Sequence, residues 1–489
     1  MTELQVPTIL DFQARVEDVD LGIIRGKNIL TTLSEEELSA LKENIASTVL
    51  TPGDNQYDEV RTIWNAMIDR KPGVIVQCEK VVDVAPSIAF ARKHDLEITI
   101  RGAGHNIAGN SISDGGLLID FSLMKQVNVN TTTNRATVEP GATLGDFDAA
   151  VQKYGLATSV GINSTTGIAG LTLGGGFGWL TRKYGMTVDN LLSVNLVTVD
   201  GESISASATE NTDLFWAIRG GGGNFGVITQ FEYALHPIGP NVLAGLVVYP
   251  LEQARQVLKR YREFTSTAPE DMTVWSVMRK APPLPFLPED VHGKEVVVLA
   301  FMYAGDPPQG AELADILKSF GEPYGDHIGV MSYIEWQQSF DPLLTPGARN
   351  YWKSHNFTKL ADDALDIMIE YAGTLPSPQC EIFIAHISGA ANRVAADAMA
   401  YGARDTQYVL NVHARWDNAA DDDTCISWSR DFFKATKPYA STGAYVNFMT
   451  EEEGDRVESA YGANYDRLVE VKRKYDPGNI LHMNQNIKP

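Results

Sequence analysis

The chain has 489 residues, 44% of them hydrophobic, and a formal charge of −22. It holds no run of about 18 apolar residues, so the sequence predicts two or more packed cores in water and no membrane span. The acid excess argues against nucleic acid or anionic lipid as partners, because both call for clustered Lys and Arg.

Met1-Thr2-Glu3-Leu4 has neither the basic nor the apolar stretch of a secretory leader, so the expected compartment is the cytoplasm. Residues 34–49 read as a helix with Ser34 as N-cap, acids in its first turn, and Leu38, Leu41 and Ile45 at helical spacing. From Gly73 the pattern is strand (Val74 to Val76), helix (Val81 to His94), strand (Leu96 to Ile100). Strand-like stretches at 116–120, 127–129 and 135–139 follow, then a helix from Leu144 to Tyr154 and a strand from Leu192 to Val199. After His236-Pro237-Ile238-Gly239-Pro240 the character changes to strands at 296–301, 381–386 and 408–416, interleaved with helices at 251–264, 311–320 and 361–372. A helical stretch from Glu452 to Tyr475 stops at Asp476-Pro477-Gly478-Asn479. Cys78, Cys380 and Cys425 lie far apart without C-x-x-C spacing, so buried free thiols are expected rather than a disulfide framework or metal site. The fold class expected is α+β. A second domain is expected to begin near residue 239.

The most informative stretch is Arg101-Gly102-Ala103-Gly104-His105-Asn106, which directly follows an apolar strand. Small residues there let backbone N–H groups approach a pyrophosphate, and the imidazole adds a nucleophile. A G-x-G-x-x-G reading fails, because the third glycine is missing and no obvious helix opens, so a nicotinamide site is not expected. Two more glycine clusters, Gly174-Gly175-Gly176-Phe177-Gly178 and Gly220-Gly221-Gly222-Gly223-Asn224-Phe225-Gly226, are flanked by apolar strands and are therefore not linkers.

In order and spacing, this loop, the segment Thr165 to Gly178, the segment Leu214 to Val227 and the terminal Asn484-Gln485-Asn486-Ile487 resemble the FAD-linked oxidases of the vanillyl-alcohol oxidase / p-cresol methylhydroxylase superfamily. The likeness is to the berberine-bridge-enzyme-like branch and its bacterial members of the 6-hydroxy-D-nicotine oxidase type, from about residue 65 onward. The resemblance implies a two-domain PCMH-type fold, with an FAD-binding domain of residues 1–238 completed by 437–489 and a substrate domain of antiparallel sheet plus helices over 239–436, and FAD bonded through the 8α-methyl carbon to His105, a link that raises the flavin's reduction potential. It carries cofactor contacts onto Arg101, Gly102, Ala103, Gly104 and Asn106 in the loop. Gly161, Thr165, Thr166, Gly170, Thr172 and Gly175 follow in the middle segment, with Gly223, Val227, Asn484 and Asn486 beyond. The cysteine that gives many relatives a second tether falls on Asn163, so a single attachment is implied. The oxygen-gating position falls on Thr166, small and branched, which goes with oxidase behaviour.

The sequence departs from the family at the base. The tyrosine of plant members falls on Phe448, and a glutamate used by some relatives falls on Val409. Strand alternation puts Asn411, His413 and Arg415 on the face of Val409, and Glu381, Phe383 and Ala385 on the matching strand. His413 is the first choice of base, because imidazole titrates near neutral pH, then Glu381, then Tyr445; Asn411 joins them as a candidate catalytic residue. Each has a bland alternative: a sheet hydrogen bond for His413, a solvent edge for Glu381, ring packing for Tyr445. Two further segments could shape the pocket: the apolar Ala281 to Pro288, as entrance or mere connection, and Tyr351 to Ser354, with Lys353 facing the cavity or snorkelling. The reaction expected is oxidation of a C–H next to OH or NH on a small molecule, a sugar, secondary-metabolite alcohol or amine, with O2 as acceptor. The alternatives are a flavin dehydrogenase with another acceptor and a non-catalytic flavin-holding protein. The assembly could be a monomer or a homodimer.

Overall fold

The computed structural model describes residues 21–25, 29–441 and 443–489; the leader reading at Met1 to Leu4 lies outside them. The first helix opens where expected, with a capping box between Ser34 and Glu37, but it spans only Glu35–Asn44. Ile45 is already extended, and Thr48–Leu50 forms a strand against Val74–Gln77, which corrects the helix expected over 34–49. The β/α/β pattern from Gly73 holds: Val74–Gln77, a helix over Val84–Lys93 entered through a 3-10 turn, then Ile98–Arg101. Ile98–Arg101 and Val74–Gln77 both pair in parallel with Leu117–Asp120, and the Arg101 to Asn106 turn leaves this four-stranded sheet at a strand's C-terminal end. Ligands of parallel sheets gather at such ends.

A second, antiparallel sheet runs in the order Ser203–Ser207, Leu191–Val197, Val227–Ala234, Arg135–Val138, Val127–Asn130. The third has seven strands, all antiparallel: Gly325–Ser332, Asn241–Pro250, Glu295–Tyr303, Met272–Lys280, Glu381–His386, Tyr408–Trp416 and Arg349–Phe357. Helices Ala254–Thr265, Asp362–Ala372 and Asp422–Thr436 bury one face of it, against Ile382, Ile384, Leu410 and Val412. The other face, with Glu381, Phe383, Asn411 and His413, looks onto the glycine loops. The fold is thus α+β, as the sequence indicates.

The C-terminal stretch read as one helix from Glu452 to Tyr475 is broken. A 3-10 segment Glu451–Arg456 and a short helix Val457–Tyr461 precede Gly462 at φ +52°, and only Tyr465–Tyr475 is a regular helix. The tail beyond it returns to the second glycine cluster: the Asn224 carbonyl accepts from Lys472 Nζ at 2.9 Å, and the Asn224 amide donates to the Gln485 carbonyl at 3.1 Å. No helix among the described residues is long and apolar enough to cross a membrane. The three cysteines are buried and free.

Candidate active site

A cavity of about 330 Å³ lies between the inner face of the seven-stranded sheet and the glycine loops. Its floor has almost no side chains. A Cβ on Gly102 would stand 2.8 Å from the Pro140 carbonyl oxygen, and one on Gly167 would stand 2.9 Å from the Ala103 nitrogen, so backbone meets backbone here. At Gly170 and Gly223 a Cβ would meet nothing within 4 Å, because these glycines face the cavity itself.

Of the residues read from the sequence, Gly102, Ala103, Gly104, His105, Asn106, Gly161, Thr166, Gly170, Gly223 and Asn484 form the wall, together with His413, Asn411, Glu381 and Tyr445. Arg101, Thr165, Thr172, Gly175, Val227 and Asn486 are not in it. Two of these side chains serve the scaffold instead. The Arg101 guanidinium pairs with buried Asp120 at 2.8 Å, and Thr172 Oγ1 donates to the Ile168 carbonyl while sharing a 2.7 Å bond with the Tyr233 hydroxyl. Lys353 faces neither the cavity nor solvent: it points to the opposite side of its strand, bonded to Thr450 and paired with Glu453 at 3.1 Å. Its neighbour Trp352 is the one that faces in.

His105 is buried with its ring stacked on Trp64, centroids 4.2 Å apart. Burial, reinforced by the nearby Arg415 charge, pushes its pKa down to about 3. The imidazole is therefore neutral at working pH, the state in which a ring nitrogen is nucleophilic. Its Nε2 has no hydrogen-bond partner among the described residues. The same holds for six other buried wall atoms, Ser111 Oγ, Trp352 Nε1, Asn411 Oδ1, the Tyr461 hydroxyl, Asn484 Oδ1 and Gln485 Nε2. Such groups require partners. A large, partly polar cofactor on a side-chain-free floor supplies them, and these residues fit FAD.

The roof carries the polar chemistry. His413 Nδ1 lies 3.0 Å from Glu381 Oε1, and the Glu381 carboxylate also holds Arg279 at 2.8 Å. Burial would raise the Glu381 carboxyl, but Arg279 and His413 together hold it below the usual range. Burial lowers the His413 pKa, and the Glu381 bond opposes this. Tyr445 enters from the turn before Val446–Phe448; its hydroxyl accepts from Gly176 N–H at 3.2 Å and from Asn447 Nδ2 at 3.1 Å, which leaves its own proton for the cavity. Burial pushes this phenol up to about 12. Phe448, in the family's tyrosine position, packs edge-on against Tyr445 with centroids 4.8 Å apart.

Sequence reading missed Trp64, Asn447, Trp352 and Gln485. Alternation could have found Trp352, opposite His413 in the ladder. Nothing local marks Trp64. Asn447 packs on Gly174, whose Cβ would collide with its amide. Gly174→Ala is therefore expected to displace Asn447 from both the Leu171 carbonyl and Tyr445, and to cost about 1–3 kcal/mol as these buried groups lose partners. Denaturant unfolding of the variant checks this.

Fold and site together define a flavoprotein oxidoreductase. A family model described as "FAD binding domain" matches residues 72–207, and one described as "Berberine and berberine like" matches 444–488. An FAD-linked oxidoreductase of Dictyostelium discoideum is 32% identical over 451 residues, covering 91% of this chain and 96% of that protein. (R)-6-hydroxynicotine oxidase of Paenarthrobacter nicotinovorans is 30% identical over 468 residues, covering 91% and 97%. The crystal structure of 6-hydroxy-D-nicotine oxidase from Arthrobacter nicotinovorans superposes with a TM-score of 0.79 at 27% identity, over 91% of this chain and 98% of that one. The chain belongs to the berberine-bridge-enzyme-like family of FAD-linked oxidoreductases, and FAD is its cofactor.

Proposed function

We propose that this protein is an oxidase that removes hydride from a C–H next to OH or NH on a small molecule, with FAD bonded to His105 alone. FAD, held by the glycine loops and His105, would supply the acceptor for that hydride and the route by which its electrons reach O2 to give H2O2. In this reading residues 1–238 and 437–489 hold the cofactor and 239–436 bind substrate, an assignment supported by the large sheet drawing all its strands from residues 241–416. The observation that carries the reading is that one cavity joins a neutral His105, whose Nε2 has no hydrogen-bond partner, to His413, Asn411 and Tyr445 overhead.

His413 is the proton acceptor for the substrate O–H or N–H through Nε2, which the substrate takes over from a long, 3.4 Å contact with the Asn350 amide oxygen. Glu381 fixes its Nδ1 and steadies the imidazolium that forms. Tyr445, with its raised pKa, donates a hydrogen bond and does not act as base; Asn411 orients the substrate through its unpartnered amide oxygen. Thr166 in the wall leaves room for O2, as the oxidase reading requires. With the usual bases absent, amines stand beside alcohols as donors.

Anaerobic bleaching of the yellow enzyme by a panel of alcohols, sugars and amines tests the reaction, and a panel that never bleaches it would sink the proposal. Rapid reoxidation by air is expected afterwards. Acid precipitation of wild type should retain the colour in the protein, whereas His105→Ala should release it to the supernatant.

A further inference from the structure

The inner face of the large sheet changes character along its width. Next to the Glu381–His413 pair stand Arg279 and Phe383, and one strand further the ladder becomes aliphatic: Val277 opposite Val298, Arg279 opposite Val296, and Val248 opposite Val298 on the other side. A second cavity of about 70 Å³ lies over this aliphatic half. It adjoins the cofactor cavity through shared walls, among them Ile162, Trp275, Leu344 and Phe383. Its lid is the proline-rich segment that the sequence marks as unusual. Ala281, Pro282, Leu284 and Leu287 close over it, and the loop is fastened at its base where Ala281 N–H donates to the Lys294 carbonyl at 2.8 Å and Gly293 N–H to the Ala281 carbonyl at 2.9 Å.

Protein interiors are close packed, and a void walled by aliphatic carbon is a poor home for water, which needs two or more polar partners. Among the polar groups of its lining residues, Arg279 and Glu381 bond to each other and Trp275 Nε1 to the His386 carbonyl, so Trp179 Nε1 is the one buried N–H left without a partner, too few for a water. Pro282, Pro283, Pro285 and Pro288 fix φ along the lid, so it needs little further ordering when a ligand arrives.

We propose that this annex is a substrate subsite for an apolar limb, so that the substrate is an amphiphile: a polar CH–NH or CH–OH head beneath His413 and an aliphatic or aryl tail under the proline-rich lid, rather than an oligosaccharide. This rests on the oxidase reading and narrows its substrate class.

The test uses the yellow holoenzyme and two homologous series, n-alkylamines and n-alkanols from butyl to decyl, with dissociation constants read from the shift in flavin absorbance. Affinity should rise about fourfold per added methylene, the equivalent of ~0.8 kcal/mol per buried CH2, and then level off as the annex fills. Val298→Trp, which occupies the annex, should abolish the slope. Val277→Thr, nearly isosteric, should halve it or more even if the tryptophan variant fails to fold. A flat series in wild type, an unchanged slope in Val277→Thr, or tighter binding of a disaccharide than of octylamine would each overturn the subsite. Binding with the expected slope but without anaerobic bleaching by any donor leaves the annex standing and overturns the oxidase reading instead.

Discussion

Replacing His413 with alanine is expected to slow anaerobic bleaching by the best donor about 10²- to 10⁴-fold, the usual contribution of a positioned proton acceptor. The ring is buried in the roof, held at Nδ1 by Glu381 and flanked edge-on by Trp352, with centroids 4.6 Å apart. Burial keeps it neutral at pH 7, since its pKa lies below the ordinary 6.5. The rate should therefore be full above that pKa and fall as pH drops through it, when imidazolium can no longer take a proton. Glu381 pulls this pKa upward, so Glu381→Gln must move the acid limb to lower pH while lowering the maximal rate. An unmoved limb in that variant, or a wild-type rate in the alanine variant with its flavin spectrum intact, would remove the pair from the chemistry.

Lys472→Met is expected to destabilise the protein by about 3–5 kcal/mol in denaturant unfolding, the usual cost of leaving one member of a buried ion pair alone. Both Lys472 and Asp476 are fully buried, 2.7 Å apart. The ammonium also donates to the carbonyls of Asn224 and Leu481, each at 2.9 Å. Burial pulls the lysine below its ordinary pKa, and Asp476 resists this. Without the ammonium, Asp476 is left as a buried anion held only by the Ile480 and Leu481 N–H groups. The tail that brings Asn484 and Gln485 to the cavity then keeps only the Asn224 side-chain bonds to Gln485 and Ile487 on the second glycine cluster, so flavin fluorescence should rise along with the loss of stability. Removing both charges, as Lys472→Met with Asp476→Leu, should recover much of the energy; no recovery would mean that the pair is not the source.

These sites differ in how openly the sequence displays them. The Gly102 to His105 loop was legible because its chemistry is local: small residues after an apolar strand, then an imidazole. The roof was legible through alternation, which puts Glu381 with Phe383 and Asn411 with His413 on one face before any fold is known. Trp64 on His105 was hidden, because a stack between an unmarked segment and the loop exists only in three dimensions. Arg101 misled for a related reason. The resemblance carries a cofactor contact onto it, yet Asp120 takes its guanidinium from the neighbouring parallel strand. The helix expected to run to residue 49 fails because Thr48–Leu50 gains more as an edge strand on Val74–Gln77 than as a further helical turn, a tertiary choice that periodicity does not record.

The return of the C-terminal segment has a consequence for the order of assembly. Residues from Lys472 to Ile487 follow the strands of the three large sheets along the chain, yet they supply Leu481, Met483, Asn484 and Gln485 to the cofactor wall. Until residues 481–487 dock on Asn224, the wall that they supply is missing and the pouch stays open on that side. Retention of the cofactor is thereby tied to the docking of residues 472–487 on the second glycine cluster.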